Sequence, residues 1–442
     1  MSTVGVDEHA GAGAPGRLRR YLPLGALFAW LLLTVALFEI GPYPYANVTN
    51  RGLLYLYLAA VHGALWLGYW RGSRSLGRAY RGRRHVHTIA RVTLAITVLV
   101  TVANVVSTGG GDLARVRLAL TDPAAAYLSS TLRRSTLFGY LAILTAPVST
   151  LALTLGVYCW SSLRLRWRAA VVLLLAVMVL SSIGAAVRSG IIAPAVLVTA
   201  AFAGASASGR LRVDARRGIL VGAFGLALVV GFFSYSAFLT AKRISMDMVI
   251  NPVSLERPDT AHVMYRAIPR SWHTSASVTA WYLSHSYARL ARAFELPFNG
   301  VALGAGNSAF MLRNVSRLTG WEQLEEVSYG MRLDRETGVG VFGTFWSTMY
   351  AWIASDVTFP GSVLAIFLIG YLLALAWMDV IRRDNALAAA AFACLSYLVF
   401  SMPMSNPLQD GPGITVFAGI PLFWWLTRAR TVQAGAVVEP EA

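Results

Sequence analysis

Long apolar runs, each followed by a short polar connection, recur along the chain. A helix that crosses the hydrocarbon of a bilayer needs about 20 mostly apolar residues. Runs of about that length lie at 21–38, 52–70, 92–108, 137–160, 169–187, 189–209, 218–240, 358–377, 386–402 and 413–426. The pattern predicts an all-α polytopic membrane protein with about ten transmembrane helices.

One apolar run is twice the length of a span and contains a single charge, Arg188. A continuous helix over 169–209 would be about 62 Å long, about twice the hydrocarbon thickness. We therefore expect two spans that reverse at Arg188, with Gly184 and Gly190 allowing a tight turn. The arginine would then lie at a membrane face, where it either snorkels to the interface or faces a polar cavity.

Clusters of arginine fill alternate connections and set the topology. The positive-inside rule places these clusters and both termini in the cytoplasm. The predicted order is a disordered cytoplasmic N-terminus at 1–20, seven spans in 21–240, a large external loop at 241–357, three spans in 358–427 and a cytoplasmic tail at 428–442. Residues 337–355 are uncharged, yet counting them as a span would invert the arginine clusters that follow. We interpret them as a re-entrant or interfacial segment.

The composition also indicates a membrane protein and bears on its partners and cofactors. Hydrophobic residues make up 56% of the 442, and charged residues only 13%, about half the usual share in soluble domains. The net charge of +17 is explained by the cytoplasmic clusters, so we expect no nucleic-acid partner. Neither metal-ligand spacing nor a nucleotide-binding loop is found in the sequence, so we expect no metal and no cofactor.

The external loop contains most of the candidate chemistry. The stretch SASVTAWYLSHSYARLARAFE has the spacing of an amphipathic helix, with His285, Arg289 and Arg292 on one face. Such a face would lie on lipid headgroups or close over an anionic substrate. Arg266, Arg270 and His273 come just upstream. Arginine binds phosphate oxygens in a bidentate manner, and histidine exchanges protons near neutral pH.

Two acids are the other candidates. Glu39 lies at the outer end of the first span, where it could act as a base or as an interfacial anchor near Arg51. Asp356 lies just before the predicted span at 358–377, a position that is typical of a helix cap.

The order of these features resembles that of the oligosaccharide repeat unit polymerases, the Wzy-type O-antigen polymerases of bacterial envelopes. The resemblance covers most of the chain and is carried by FEIGPY after the first span, LWLGYWRG at the end of the second, the hairpin IGAAVRSGI, and the long loop followed by VGVFGTFWSTMYAWIASDVTFPG. The turn usual in that family is Asp-Phe-Gly-like. Here Gly361 stands five positions after Asp356, which leaves a family role for Asp356 in doubt.

The resemblance implies a multi-pass glycosyltransferase of the plasma (inner) membrane. It would transfer a growing glycan from undecaprenyl pyrophosphate to a new lipid-linked repeat unit on the outer face. Five arginines would bind the pyrophosphate: Arg188, Arg266, Arg270, Arg289 and Arg292. The candidates for the catalytic base are His285, His273, Glu39 and Asp356. Lipid-linked oligosaccharide and membrane lipid are the expected partners, and binding to a chain-length regulator or a flippase remains open.

Three other functions remain open. An O-antigen ligase would share the donor and deliver the glycan to a different acceptor. A transferase using a polyprenyl monophosphate sugar would need an acid at the outer end of the first span, and Glu39 has that position. A transporter or flippase would need charges in mid-span or an inverted repeat, and the sequence shows neither.

Overall fold

The chain forms a helical bundle. Its computed structural model describes residues 16–78, 86–107, 111–131, 137–187, 189–211, 214–243, 257–336 and 347–428, and no strand occurs among them. Six helices in these ranges are long and apolar enough to cross a membrane. The predicted class, an all-α membrane protein, is therefore confirmed for the described part of the chain.

Every predicted span coincides with helix. The long apolar helices are α1 (Arg17–Ile40), α2 (Arg51–Gly72), α3 (Val86–Ser107), α6 (Leu137–Tyr158), α7 (Leu165–Gly184), α8 (Ser189–Ala207), α9 (Ala215–Arg243), α14 (Met349–Arg383), α15 (Ala386–Ser401) and the broken pair α16 (Gly411–Phe417) and α17 (Gly419–Thr427). Shorter helices lie between them: α4 (Gly111–Thr121), α5 (Pro123–Thr131), α10 (Val263–Arg266), α11 (His273–Ala293), α12 (Ala309–Thr319) and α13 (Tyr329–Glu336). How many of these cross the membrane stays a prediction.

The predicted break between α7 and α8 is confirmed, but the glycines act differently from expectation. The left-handed residue of the turn is Ala186, with φ 52°. Gly190 instead permits close packing, because a Cβ there would lie 2.4 Å from Ser182 Oγ. Arg188 itself lies outside the described residues.

Helix α14 is longer than the predicted span 358–377 and is kinked. Thr358 has φ 65° and ψ 169°, so the helix consists of two segments that meet at this residue. Residues 349–356 are all buried. For this part of the segment proposed as re-entrant, protein covers the backbone, as such a segment requires. Residues 337–346 lie outside the described part.

The arginine-rich connections meet at one end of the bundle, here called the basic end. Buried Asp379 of α14 accepts hydrogen bonds from the Arg428 side chain (2.8 and 3.0 Å) and from the backbone N–H of Arg78 (2.6 Å). Nearby, Arg210 donates to both carboxylate oxygens of Asp384 (2.5 and 2.7 Å). The ends of four spans are thus joined by ion pairs and hydrogen bonds. That this end faces the cytoplasm stays a prediction.

The chain segment 257–336 lies at the opposite end. The backbone N–H of Asp259 donates to the Pro42 carbonyl (2.7 Å), and the N–H of Phe310 donates to the Gln409 carbonyl (2.9 Å). These contacts attach the segment to the far end of α1 and to the α15–α16 connection. The segment also extends inward, since α11 packs against α1, α2, α9 and α14.

Candidate functional site

Helix α11 contains four of the nine candidate site residues: His273, His285, Arg289 and Arg292. At 1.5 Å of rise per residue, the 19 steps from His273 to Arg292 place them about 28 Å apart. One pyrophosphate cannot contact both ends of such a helix. The candidates therefore divide into groups that act separately.

The sequence predicts that the face with His285, Arg289 and Arg292 is exposed. For His285 and Arg289 that prediction is wrong. Residues 284–291 are all buried, and His285 and Arg289 are 0% and 2% exposed. Only Arg292 reaches the surface, with a side chain that is 51% exposed. Burial of Arg289 is compensated by a counter-charge from another helix, Asp334 of α13.

Arg289 and Asp334 form a buried ion pair. The guanidinium Nη2 donates to Asp334 Oδ1 at 2.5 Å. Burial raises the pKa of the Asp334 carboxyl, an effect that the Arg289 charge opposes. Burial likewise lowers the pKa of Arg289, and Asp334 opposes that shift. Each charge is costly without the other, so the pair fixes α11 to α13.

His285 lies one turn before Arg289. Its Nδ1–H donates to the Trp281 carbonyl at 2.9 Å, and its ring stacks on the Trp281 indole with centroids 4.3 Å apart. Because a carbonyl oxygen only accepts, Nδ1 carries the hydrogen, and in the neutral ring the lone pair lies on Nε2. The tautomer suits a base, but the enclosed position keeps His285 from a substrate in this conformation.

Arg292 lies in an acidic surrounding at the end of α11. It contacts Glu295, and its Nε lies 3.4 Å from Glu336. A hydrogen bond from Thr49 and the Arg292 contact lower the pKa of Glu295. Two carboxylates around one guanidinium repel a further anion. Here the geometry does not favour the predicted role in pyrophosphate binding.

Arg266, Arg270 and His273 lie within eight residues of the chain: Arg266 ends α10, Arg270 lies in the turn before α11, and His273 begins α11. Both arginines are exposed. His273 is half-buried, and its Nε2–H donates to the Ile268 carbonyl at 3.3 Å. The N-terminal backbone N–H groups of a 21-residue helix add further positive potential. Of the candidate groups on the described residues, this one has the most favourable electrostatics for an anion.

Glu39 lies in the last turn of α1 as expected, close to Arg51. Its Oε2 lies 3.8 Å from Arg51 Nη1, and Tyr55 donates a hydrogen bond to the other carboxylate oxygen. Of the two roles predicted for Glu39, this geometry fits the anchor near Arg51. The role of Glu39 as a base stays a prediction.

Asp356 is not the helix cap that its position before the predicted span indicated. It lies seven residues inside α14, whose N-cap is Thr348. Its Oδ1 accepts the backbone N–H groups of Ala302 and Gly304, and its Oδ2 accepts that of Asn307, each at 3.1 Å. The carboxylate thus holds the loop 302–307 against α14.

The loop sequence suits this contact. Gly304 has φ 91°, a left-handed conformation that costs glycine little. A Cβ at Gly306 would lie 2.9 Å from Asp356 Oδ1. The loop therefore approaches the carboxylate more closely than a side chain would permit.

Asp356→Asn is expected to destabilise the protein by about 3 kcal/mol, because backbone hydrogen bonds to a charged acceptor are lost. The amide keeps one acceptor oxygen but turns a donor toward the N–H of Asn307. An SDS titration of the purified protein in mild detergent measures the change in unfolding free energy. Asp122→Asn is the control. Asp122 is exposed and accepts the backbone N–H of Ala125. Asparagine can accept the same hydrogen bond, so the unfolding free energy should change by less than about 0.5 kcal/mol. Equal stability of the two variants would show that the Asp356 carboxylate does not hold the loop 302–307 against α14.

Asp334 and the hydroxyl contacts of α11 could not be predicted from the sequence. Tyr45 and Ser284 share a hydrogen bond of 2.8 Å, and Thr34 and Tyr287 share one of 2.9 Å. Ser284 and Tyr287 lie on one face of α11, and that spacing is the only signal the sequence offers. Their partners come from α1 and from the connection after it, about 240 residues or more away.

Comparison with known proteins leaves the chain without an assigned relative. No family model, curated protein or solved structure matches it.

Proposed function

We propose that the chain is a glycosyltransferase that polymerises undecaprenyl-pyrophosphate-linked oligosaccharide repeat units on the outer face of the plasma membrane. In this proposal ten spans cross the membrane, both termini are cytoplasmic, and the segment 257–336 faces outward. The observation that carries it is the group at the start of α11: two exposed arginines within seven residues of a histidine, at the end of the bundle away from the basic end.

The chemistry requires few groups. The bond between the donor sugar and the pyrophosphate oxygen breaks while the acceptor hydroxyl forms the new glycosidic bond. Arg266 and Arg270 would stabilise the charge that develops on the departing pyrophosphate. A base would take the proton of the acceptor hydroxyl.

Distance favours His273 as that base over His285. His273 lies within one turn of Arg270, whereas His285 lies 12 residues further along α11, about 18 Å away. A base must reach the acceptor proton directly or through one water. With Nε2–H bonded to Ile268, the lone pair of neutral His273 is on Nδ1. Buried Arg289 and His285 would then stabilise α11, the helix that begins with His273, and would not contact the substrate.

Deletion of the gene, followed by sizing of the surface glycan on a gel, tests the reaction. A polymerase predicts loss of the long-chain ladder with single repeat units still attached at the surface. Complete loss of attached glycan, with lipid-linked polymer accumulating, would show a ligase instead. An unchanged ladder would overturn the proposal.

Complementation tests the residues. Arg270→Gln and His273→Gln, present at normal abundance, are expected to lower polymer output about a hundredfold. Arg270→Lys keeps the charge and should recover part of it. Arg317→Gln on α12 also removes an exposed arginine from the segment 257–336 and should leave the ladder unchanged. If Arg317→Gln and Arg270→Gln have the same effect, the assignment to α11 fails.

A further inference from the structure

A cleft of about 220 Å³ lies between α3, α6 and α7. Its lining includes Ile96, Thr97 and Val100 of α3, and Thr145 and Ser149 of α6. Along α7 the lining begins at Leu174 and ends at Ser181, so it follows the half of that helix that leads away from the basic end. In the predicted topology this half lies in the outer leaflet.

The cleft suits hydrocarbon in spite of its hydroxyl side chains. Thr97 donates to the Thr93 carbonyl and Thr145 to the Leu141 carbonyl, both at 2.8 Å, and Ser149 donates to the Thr145 carbonyl at 3.0 Å. The hydroxyl protons of these three side chains are therefore directed to their own helices and not into the cleft. On the α3 side the cleft reaches the outer surface of the bundle, where Ile96 and Val100 are 41% and 36% exposed.

An arginine of α4, Arg115, lies beyond the far end of the cleft. Gly184 follows Ser181 by three residues, about 4.5 Å along α7. Helix α4 packs on this last turn so closely that a Cβ at Gly184 would lie 3.5 Å from Arg115 Cβ. Arg115 therefore stands beside the last turn of α7, the turn that follows the end of the cleft.

We propose that this cleft binds one anionic phospholipid of the surrounding leaflet, with an acyl chain between α3, α6 and α7 and the phosphate against Arg115. Charge complementarity supplies the headgroup preference, because an arginine near the surface attracts anionic lipid by about 1 kcal/mol. The lining along α7 covers about 10 Å, which suits part of an acyl chain. The cleft is also separate from the candidate site, since α11 packs mainly against other helices: α1, α2, α9 and α14.

Native mass spectrometry of the full-length protein in mild detergent tests this site. The probes are phosphatidylglycerol, phosphatidylcholine and undecaprenyl phosphate, each titrated alone and in competition. Wild type is expected to retain one phosphatidylglycerol in preference to phosphatidylcholine. Arg115→Gln should weaken phosphatidylglycerol binding about fivefold and abolish the preference. Ser149→Phe should fill the cleft and remove the bound lipid.

Two matched variants identify the site. Arg117→Gln removes an exposed charge two residues along α4, and Leu144→Phe enlarges a 70% exposed side chain on α6. Both should bind phosphatidylglycerol as wild type does, and circular dichroism should show the same helix content for all four variants. Retention of the lipid by Ser149→Phe would overturn the proposal. Displacement of phosphatidylglycerol by equimolar undecaprenyl phosphate would overturn it too, since the cleft would then hold the carrier chain.

Discussion

Gly370→Val is expected to remove most of the folded protein. Helices α2 and α14 meet backbone to backbone: a Cβ on Gly370 would lie 2.3 Å from the Leu65 carbonyl oxygen, and one on Gly68 would lie 2.0 Å from the Phe367 carbonyl oxygen. Overpacking that side chains can relieve costs about 1–3 kcal/mol. Here the obstacle is backbone, so the two helices must separate along their whole contact. We expect a loss above about 3 kcal/mol.

Gly63→Val on α2 is the matched control, because a Cβ at Gly63 meets no atom within 4 Å. It should unfold at the wild-type SDS concentration and elute as one peak in detergent. Gly68→Val approaches the same interface from the other helix and should reproduce the loss seen for Gly370→Val. Wild-type stability of either interface variant would show that α2 and α14 are not in close contact.

The helices could be predicted from the sequence because their signal is local. An apolar run of the right length predicts a helix wherever its partners lie, and each predicted span coincides with one. That the arginine-rich connections lie at one end of the bundle could also be predicted from the sequence. Their partners could not be predicted, because Arg428 and Arg78 approach Asp379 from regions that are distant in sequence.

The candidate site was harder to predict because burial depends on distant residues. The sequence of α11 has the periodicity of a surface helix, and nothing within it shows that Asp334 will neutralise Arg289 from 45 residues away. Asp356 is a similar case. Its place before an apolar run indicates a cap, whereas the N–H groups that it accepts come from a loop about 50 residues earlier. The grouping of Arg266, Arg270 and His273 needs no distant partner, because the three are neighbours in sequence. Their role stays a prediction.

Asp334→Asn is expected to destabilise the protein by about 3–5 kcal/mol, the usual cost of breaking a buried ion pair from one side. The variant leaves the Arg289 guanidinium, which is 2% exposed, buried without this counter-charge. Arg289→Met should cost less, because the Asp334 side chain is 27% exposed and can take up water. The double variant Arg289→Met/Asp334→Asn removes both charges and should be more stable than Asp334→Asn alone. An SDS titration of all four proteins gives the coupling free energy between the two sites.

Arg292→Gln is the comparison for an ion pair at the surface, in contrast to the pair Arg289–Asp334. The Arg292 side chain is 51% exposed, and exposed ion pairs contribute about 1 kcal/mol or less to stability. We expect Arg292→Gln to unfold close to wild type while Asp334→Asn does not. If the single changes at Arg289 and Asp334 simply add in the double variant, the two charges are not coupled, and the enclosure of α11 rests on its apolar contacts alone. Coupling would mean that the docking of α13 and the burial of α11 stabilise one another. The proposed anion-binding group at the start of α11 would then depend on both.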